Sequence, residues 1–165
     1  MAYELRAFER RDVASALAIF NHYVAAGTAA YPESPLSPEA LGKLGASEPR
    51  YPVVAGLDAA GAVVGFAMLR PWHALPTFLR TAEVSYFIAP EHVGQGLGSI
   101  MLAGLCDHAR TMGVATLLAS ISAENVASLE FHARRGFVEC GRFRQVGLKH
   151  GRTFDVIWMQ RVLAA

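Results

Sequence analysis

Two side chains of this sequence are suited to proton transfer, and both occur in segments that are otherwise mostly apolar. Glu83 lies inside the strand-like run Thr81–Ile88, where a carboxylate is costly unless water, a cation or a chemical task accounts for it. His132 lies in a helix-like segment, and an imidazole exchanges protons near neutral pH. From position alone, a basic neighbour such as Arg80 also explains Glu83, and ordinary packing also explains His132. The two residues therefore indicate acid–base chemistry without excluding structural roles.

Three glycines at every second position, Gly94, Gly96 and Gly98, separate a strand-like segment from a helix-like one. Glycine allows positive φ and close backbone approach, and the first turn of a helix offers unpaired N–H groups at its positive end. These properties predict a phosphate or pyrophosphate site, although a tight turn alone would also use glycine. A P-loop is excluded because no lysine follows Gly98, and a dinucleotide fingerprint is disfavoured because Ser99 takes the place of its last glycine.

Hydrophobic periodicity and turn residues predict one α/β domain over residues 1–165, with the element order β-α-α-β-β-β-α-β-α-β-β. The predicted strands are Tyr3–Ala7, Pro52–Leu57, Ala62–Trp72, Thr81–Ile88, Thr116–Ile121, Val138–Val146 and Thr153–Val162. The predicted helices follow a cap at Asp12, begin at Ser37-Pro38-Glu39, and cover Leu97–Met112 and Asn125–Arg135. Leu148–Gly151 is expected to join the last two strands as a loop, and Gly136 to end the last helix.

Composition limits the classes of partner. The 165 residues are 53% hydrophobic and carry a net charge of +1 with scattered basic residues, which argues against nucleic acid or an anionic membrane as a ligand. The longest apolar run, Ala62–Leu69, is too short to span a bilayer, and the N-terminus has no apolar signal region. We expect a soluble, cytoplasmic protein that acts on a small molecule. Cys106 and Cys140 are expected to be buried, reduced thiols, with no disulfide and no metal site.

Two signatures resemble those of the GNAT N-acetyltransferase superfamily. The first, [RQ]xxGx[GA], is matched by Val93, Gly94, Gln95, Gly96, Leu97 and Gly98, with Val93 replacing the usual Arg or Gln. The second, N…[AS]…LY..GF, is matched by Asn125, Ser128, Phe131, His132, Gly136 and Phe137. The whole chain resembles the phosphinothricin and methionine sulfoximine acetyltransferase branch, as in "RYPVVAG", "GFAMLRPW" and "GLKHGRTFDVIWMQ". It departs from that branch at Thr153-Phe154, where a tryptophan is usual.

The resemblance implies a mixed sheet of about seven strands flanked by about four helices, and transfer of acetyl from acetyl-CoA to the α-amino group of a small amino acid or analogue. Direct attack by the amine would use Glu83 as the general base, and His132 would donate a proton to the coenzyme A thiolate or position the thiol. The residues implied to bind the cofactor are Tyr86, Phe87 and Ile88 through their backbone, Val93, Gly94, Gln95, Gly96, Leu97, Gly98 and Ser99 around the pyrophosphate, and Asn125, Ser128 and Phe131 along the pantetheine arm. Helix capping alone would also explain Asn125.

The amine substrate is less closely defined by the sequence. Trp72, Phe78, Lys149 and His150 are candidates for its walls, although core packing and a solvated turn would also explain them. The side chains that could bind a substrate carboxylate are Arg70, Arg80, Arg142, Arg144 and Lys149, and the sequence does not separate them. Cys106 is rejected as a nucleophile because it lies in mid-helix without an evident base.

Two alternatives to this activity stay open. One is acetylation of another amine, namely a protein N-terminus, a lysine or a polyamine. The other is a non-catalytic acyl-CoA-binding module, although the presence of Glu83 and His132 argues against it. The resemblance also implies a homodimer.

Overall fold

The computed structural model describes residues 3–41 and 50–163. Seven strands form one sheet: β1 Glu4–Ala7, β2 Val53–Leu57, β3 Val63–Pro71, β4 Thr81–Ile88, β5 Thr116–Ser122, β6 Val138–Lys149 and β7 Arg152–Val162. Three α-helices have described bounds: α1 Val13–Ala26, α2 Leu97–Thr111 and α3 Val126–Arg134. Residues 38–41 are also helical, and the rest of the helix predicted from Ser37 lies outside the described residues. The predicted α/β class and element order are confirmed.

The sheet is mixed and divides at its centre. The strand order is β1-β2-β3-β4-β5-β7-β6, and β4 and β5 are parallel neighbours whereas the other neighbouring pairs are antiparallel. The pairing of β4 with β5 covers only Thr81–Glu83 against Thr116–Leu118. Beyond Glu83, β4 stays paired with β3 as far as Ile88. A gap therefore opens between β4 and β5 over the second half of β4.

The two faces of the sheet are covered by different helices. Phe20 of α1 packs edge-on against Phe87 of β4, with ring centroids 4.8 Å apart. On the other face, Leu97 and Met101 of α2 lie over β2 and β3, where Gly56 and Gly65 pair with each other. A Cβ at Gly56 would lie 2.4 Å from the Met101 methyl group, so glycine permits α2 to approach the sheet closely. The sheet therefore lies between α1 on one face and α2 on the other.

The final hairpin differs from the prediction. The sequence predicts a loop over Leu148–Gly151, whereas β6 continues to Lys149 and only His150 and Gly151 form the turn. Both turn residues have positive φ, 47° and 75°, as tight two-residue hairpins require. The pairing of β6 with β7 is interrupted between Glu139 and Gly141 and between Phe143 and Gly147. Pairing resumes at Gly147 and continues to Lys149, so β6 extends past its predicted end at Val146.

Asp12 is a second correction. Its carboxylate does not cap α1; it accepts hydrogen bonds from the Glu9 amide at 2.7 Å and from both terminal nitrogens of Arg6 at 2.6 and 2.7 Å. The Arg6 guanidinium lowers the pKa of the buried Asp12 carboxyl, and the Glu9 amide adds to this effect. Asp12 therefore forms a capping box with Glu9 around the short turn Arg10–Asp12 and ties this turn to β1 through Arg6, instead of capping α1. None of the described helices has the length and apolar character needed to cross a bilayer.

Candidate active site

A cavity of about 600 Å³ occupies the gap between β4 and β5. Its walls include Ser85 and Phe87 from one face of β4 and Val84 and Tyr86 from the other, because successive strand residues point to opposite faces. Across the gap, residues 119–122 of β5 complete the wall. The cavity therefore passes through the sheet and gives one compartment access to both of its faces.

The glycine loop forms one end of this cavity. Gly94, Gly96, Gly98 and Ser99 line it, and Gly94 and Gly96 have φ values of 77° and 95°. No atom lies within 4 Å of the position that a Cβ would take at either residue. The open backbone therefore meets the cavity where the N-terminal turn of α2 presents its N–H groups, and this arrangement fits a diphosphate.

Of the three other residues of the loop, Val93 lines the cavity, whereas Gln95 and Leu97 do not. Val93 lines it and is exposed, so its side chain can contact a ligand only through apolar atoms. Leu97 is buried in the core, which leaves its backbone as the only part able to face an anion. The Gln95 side chain is held by Tyr3 at 3.1 Å and by the Glu91 carbonyl at 2.6 Å, so it braces the loop.

Two arginines that were not predicted also line the cavity. Arg134 and Arg135 end α3 beside the glycine loop. The Arg135 guanidinium lies 5.6 Å from the centre of the Phe131 ring and donates a hydrogen bond to the Ser99 hydroxyl. Cations at this end of the cavity complement an anionic ligand. The only sequence signal was the Arg-Arg pair directly before Gly136.

The start of α3 carries the predicted pantetheine-side residues. The Asn125 side chain accepts a hydrogen bond from the Ser128 amide at 3.2 Å, so the capping role that the sequence allowed is confirmed. Asn125, Ser128 and Phe131 all line the cavity. The cap and the cavity wall are therefore made by the same short segment.

His132 is a buried member of a hydrogen-bonded chain. Its Nδ1 lies 2.7 Å from the Ser128 carbonyl, and its Nε2 lies 2.5 Å from the Tyr86 hydroxyl. A carbonyl only accepts, so Nδ1 carries the proton, Nε2 is the acceptor and Tyr86 donates to it. Burial lowers the pKa of His132, partly opposed by the Ser128 carbonyl, and burial strongly raises the pKa of Tyr86. The imidazole is therefore neutral with both nitrogens engaged and also lines the cavity, and its role as proton donor or as a positioning residue for the thiol stays a prediction.

Glu83 lies at the last residue pair before β4 and β5 separate. Its carboxylate is 3.0 Å from Nη2 of Arg70, its cross-strand neighbour on β3. The same nitrogen donates to the Ser85 hydroxyl at 3.3 Å, and Ser85 lines the cavity. Arg80 was considered from the sequence as a basic neighbour of Glu83. The register of β3 and β4 instead brings Arg70 next to Glu83.

Tyr31 was not predicted as a site residue, yet it lies on the same face of the sheet as Glu83. Its hydroxyl is 3.5 Å from that of Ser120, a residue of the cavity wall. Its ring packs against Phe154 with centroids 5.7 Å apart. Burial raises the pKa of this phenol, with Glu83 as a smaller contributor. The loop after α1 therefore brings a polar aromatic side chain towards Glu83.

Lys149 has a different role from the one predicted. Its side chain is 4% exposed, and its ammonium donates to the carbonyls of Val24, Gly27 and Ala30 at 2.6, 2.5 and 2.8 Å. Its three N–H donors are thus satisfied at the C-terminal end of α1 and in the loop that follows. Because it is buried and fully bonded, Lys149 is not a free contact for substrate.

The other three predicted substrate residues lie outside the cavity wall. The His150 amide donates to the Glu33 carboxylate at 2.7 Å, which ties the hairpin turn to the loop after α1. Trp72 and Phe78 pack together edge-on, with centroids 5.1 Å apart, in a cluster beyond the end of β3. In the described ranges, no three His, Cys, Asp or Glu side chains are grouped as metal ligands would be.

The chain is similar to known acetyltransferases. Residues 16–137 match the model of the Acetyltransferase (GNAT) family. The chain is 35% identical over 156 residues to L-methionine sulfoximine/L-methionine sulfone acetyltransferase of Pseudomonas paraeruginosa, covering 90% of this chain and 88% of that protein. Among solved structures it is similar to a GNAT superfamily phosphinothricin acetyltransferase from Sinorhizobium meliloti in complex with AcCoA, with a TM-score of 0.91, 30% identity, and coverage of 99% of this chain and 90% of that one. It is also similar to ribosomal-protein-alanine N-acetyltransferase from Brucella melitensis, with a TM-score of 0.88, 34% identity, and coverage of 97% and 99%.

Proposed function

Because the chain belongs to the GNAT acetyltransferase family, we propose that it transfers acetyl from acetyl-CoA to the α-amino group of a small amino acid or analogue, such as methionine sulfoximine or phosphinothricin. The observation that carries the proposal is the cavity through the divided sheet. One end has the glycine loop and two arginines, and Glu83 lies where the strands separate. The relatives that act on methionine sulfoximine, methionine sulfone or phosphinothricin support the substrate class.

Different residues along the cavity would bind different parts of coenzyme A. Backbone N–H groups at Gly94–Ser99 and the guanidinium groups of Arg134 and Arg135 would hold the diphosphate of coenzyme A. The backbone of Val84–Ile88, which lacks a β5 partner, would pair with the pantetheine chain as an added strand does. When bound, acetyl-CoA supplies an acetyl group already activated as a thioester.

Glu83 is proposed as the general base that accepts a proton from the amine, directly or through a water. The family motif implies that His132 donates a proton directly. We propose instead that His132 positions the Tyr86 hydroxyl at the cavity wall. This assignment follows from the bonds to both imidazole nitrogens. Both Tyr86 and His132 line the cavity, so the thiol of coenzyme A would lie near this hydrogen-bonded pair.

A coupled assay tests the activity. Purified protein is incubated with acetyl-CoA, a thiol-reactive dye, and separate panels of amino acids, sulfoximines, polyamines and peptides. We expect thiol release with amino acids or sulfoximines. Release only with alanine-initiated peptides would favour the second candidate, acetylation of a protein N-terminus, which the similarity to the Brucella enzyme supports. Confirmed acetyl-CoA binding without release for any amine would refute catalysis.

We also propose a homodimer that uses the edge strand β6. This strand ends the sheet, and its apolar side chains Val138, Phe143, Val146 and Leu148 are exposed. Exposed apolar side chains along an unpaired edge are suited to a protein interface. Light scattering coupled to size-exclusion chromatography should give twice the chain mass of 17.8 kDa. A single-chain mass at assay concentrations would refute the dimer.

The cytoplasm is the proposed location. Cys106 is buried in α2, whereas Cys140 is exposed on β6 and not buried as predicted. Both are free thiols, which suits a reducing compartment. Acetyl-CoA is also available there. Fractionation of cells that produce the full chain should place it with the cytoplasmic fraction, and recovery with membranes or outside the cell would contradict the proposal.

A further inference from the structure

Arg70 and Glu83 form a cross-strand ion pair beside the cavity. The two residues are direct partners in the pairing of β3 with β4, and their charged atoms are 3.0 Å apart. The side chains of Arg70 and Glu83 are 32% and 18% exposed, respectively. Arg70 also reaches the Ser85 hydroxyl, which lines the cavity. Its Nε is buried without a hydrogen-bond partner among the described residues. The guanidinium therefore has donor capacity that its protein contacts leave unused.

This pair presents a difficulty for the proposed base. A carboxylate that accepts a charge-assisted hydrogen bond from a guanidinium has one oxygen occupied. Glu83 accepts a proton from an ammonium group most readily when that contact is released. The release must also be compensated, because a partly buried guanidinium without an anion is costly. A substrate that brings its own carboxylate would provide that compensation.

An α-amino acid has the charges that match the pair. Its ammonium and carboxylate groups are attached to one carbon, so a cation and an anion lie side by side, as Glu83 and Arg70 do with opposite signs. Arginine binds carboxylates through two parallel hydrogen bonds, which lysine does not reproduce. A simple amine or an amino-acid amide lacks the anion that would displace Glu83.

We propose that Arg70 is the specificity-determining residue: the substrate α-carboxylate takes the guanidinium from Glu83, and the released Glu83 accepts the proton of the α-ammonium. The proton moves from nitrogen to the carboxylate oxygen, and the amine lone pair becomes available for attack. The inference rests on the proposed function. Two of the other four candidates are engaged elsewhere, since Lys149 binds three backbone carbonyls and Arg142 lies near Glu139 and Asp155.

The test compares each accepted L-amino acid with its α-carboxamide in the wild-type protein and in Arg70→Met. The α-amine of an amide is less basic and loses its proton more easily, so a preference for the acid runs against intrinsic reactivity. We expect wild type to favour the acid in kcat/KM by about 10² or more, with part of the effect in kcat. In Arg70→Met the ratio should fall towards one, and kcat for the amide should rise because Glu83 is no longer paired.

Further measurements distinguish the possible results. Calorimetric titration with coenzyme A should give the same Kd for wild type and Arg70→Met, which confirms that the variant is folded, and Arg70→Lys should recover only part of the acid preference. An unchanged acid-to-amide ratio in folded Arg70→Met would overturn the role of Arg70. Equal use of acid and amide by wild type would also overturn it while leaving the acetyltransferase proposal intact. If wild type binds acetyl-CoA and acetylates no amine, both proposals fail.

Discussion

Lys149→Met tests whether the buried ammonium holds the end of α1 and the following loop. The change leaves the carbonyls of Val24 and Ala30 buried without their donor. Each such loss costs about 1–3 kcal/mol, so the two together cost about 2–6 kcal/mol. Relief from burying an ammonium offsets part of this, and we expect a net loss of about 3 kcal/mol. For a domain of this size, that corresponds to a fall in Tm of about 6–12 °C, measured by circular dichroism.

The control is Arg144→Met, which makes a similar change in an exposed cation on the same strand and should shift Tm by about 1–2 °C at most. Added methylammonium should restore part of the Tm of Lys149→Ala and leave that of Arg144→Ala unchanged. Because the loop after α1 carries Ala29 and Tyr31 towards the cavity, the KM for the amine should rise more than the KM for acetyl-CoA. A Tm within about 1 °C of wild type would refute the reasoning that these three hydrogen bonds are a net stabilising contact.

Three further changes test other parts of the site. Glu83→Gln should slow turnover by about 10²–10⁴ with little change in the Kd for coenzyme A, and an unaltered rate at every pH would remove Glu83 as the base. Gly96→Ala places a side chain at a φ of 95°, which costs about 1–2 kcal/mol; calorimetric titration should show weaker coenzyme A binding, and unchanged affinity would contradict the loop assignment. Burial lowers the folded-state pKa of His132, so the unfolded chain binds this proton more readily and the contribution of His132 to stability declines as pH falls below about 6.5. The difference in urea stability between wild type and His132→Leu should therefore shrink from pH 7.5 to pH 5.5, and a constant difference would argue against a neutral, buried imidazole.

Features that depend on neighbouring residues could be predicted from the sequence. The glycine loop and the cap at Asn125 are formed by short segments, so their residue types predict their local geometry. The strand Thr81–Ile88 was predicted with its observed bounds, because Arg80 and Pro90 interrupt the apolar pattern at its two ends. The final turn was predicted wrongly because Lys149 was placed in the joining loop as a candidate substrate contact, whereas its partners lie more than 100 residues earlier in the chain.

Features that depend on register and distant contacts could not be predicted. Arg70 meets Glu83 only because β3 and β4 pair in one particular register, and a shift by one residue would turn one side chain to the opposite face. The hydrogen bond between Tyr86 and His132 joins a strand to a helix 46 residues later. The sequence shows both residues but not their contact, and the burial that lowers the pKa of the imidazole also depends on the tertiary fold.

The short pairing between β4 and β5 has a consequence for amide hydrogen exchange. Amides at the centre of a sheet are usually the most protected, since they exchange only when the whole domain opens. Here β4 and β5 pair over three residues, so the amides of residues 84–88 that face the gap should exchange rapidly despite their central position. A pantetheine chain that hydrogen-bonds to this edge would slow their exchange selectively. Deuterium uptake on β4 would therefore report cofactor binding without any need for turnover.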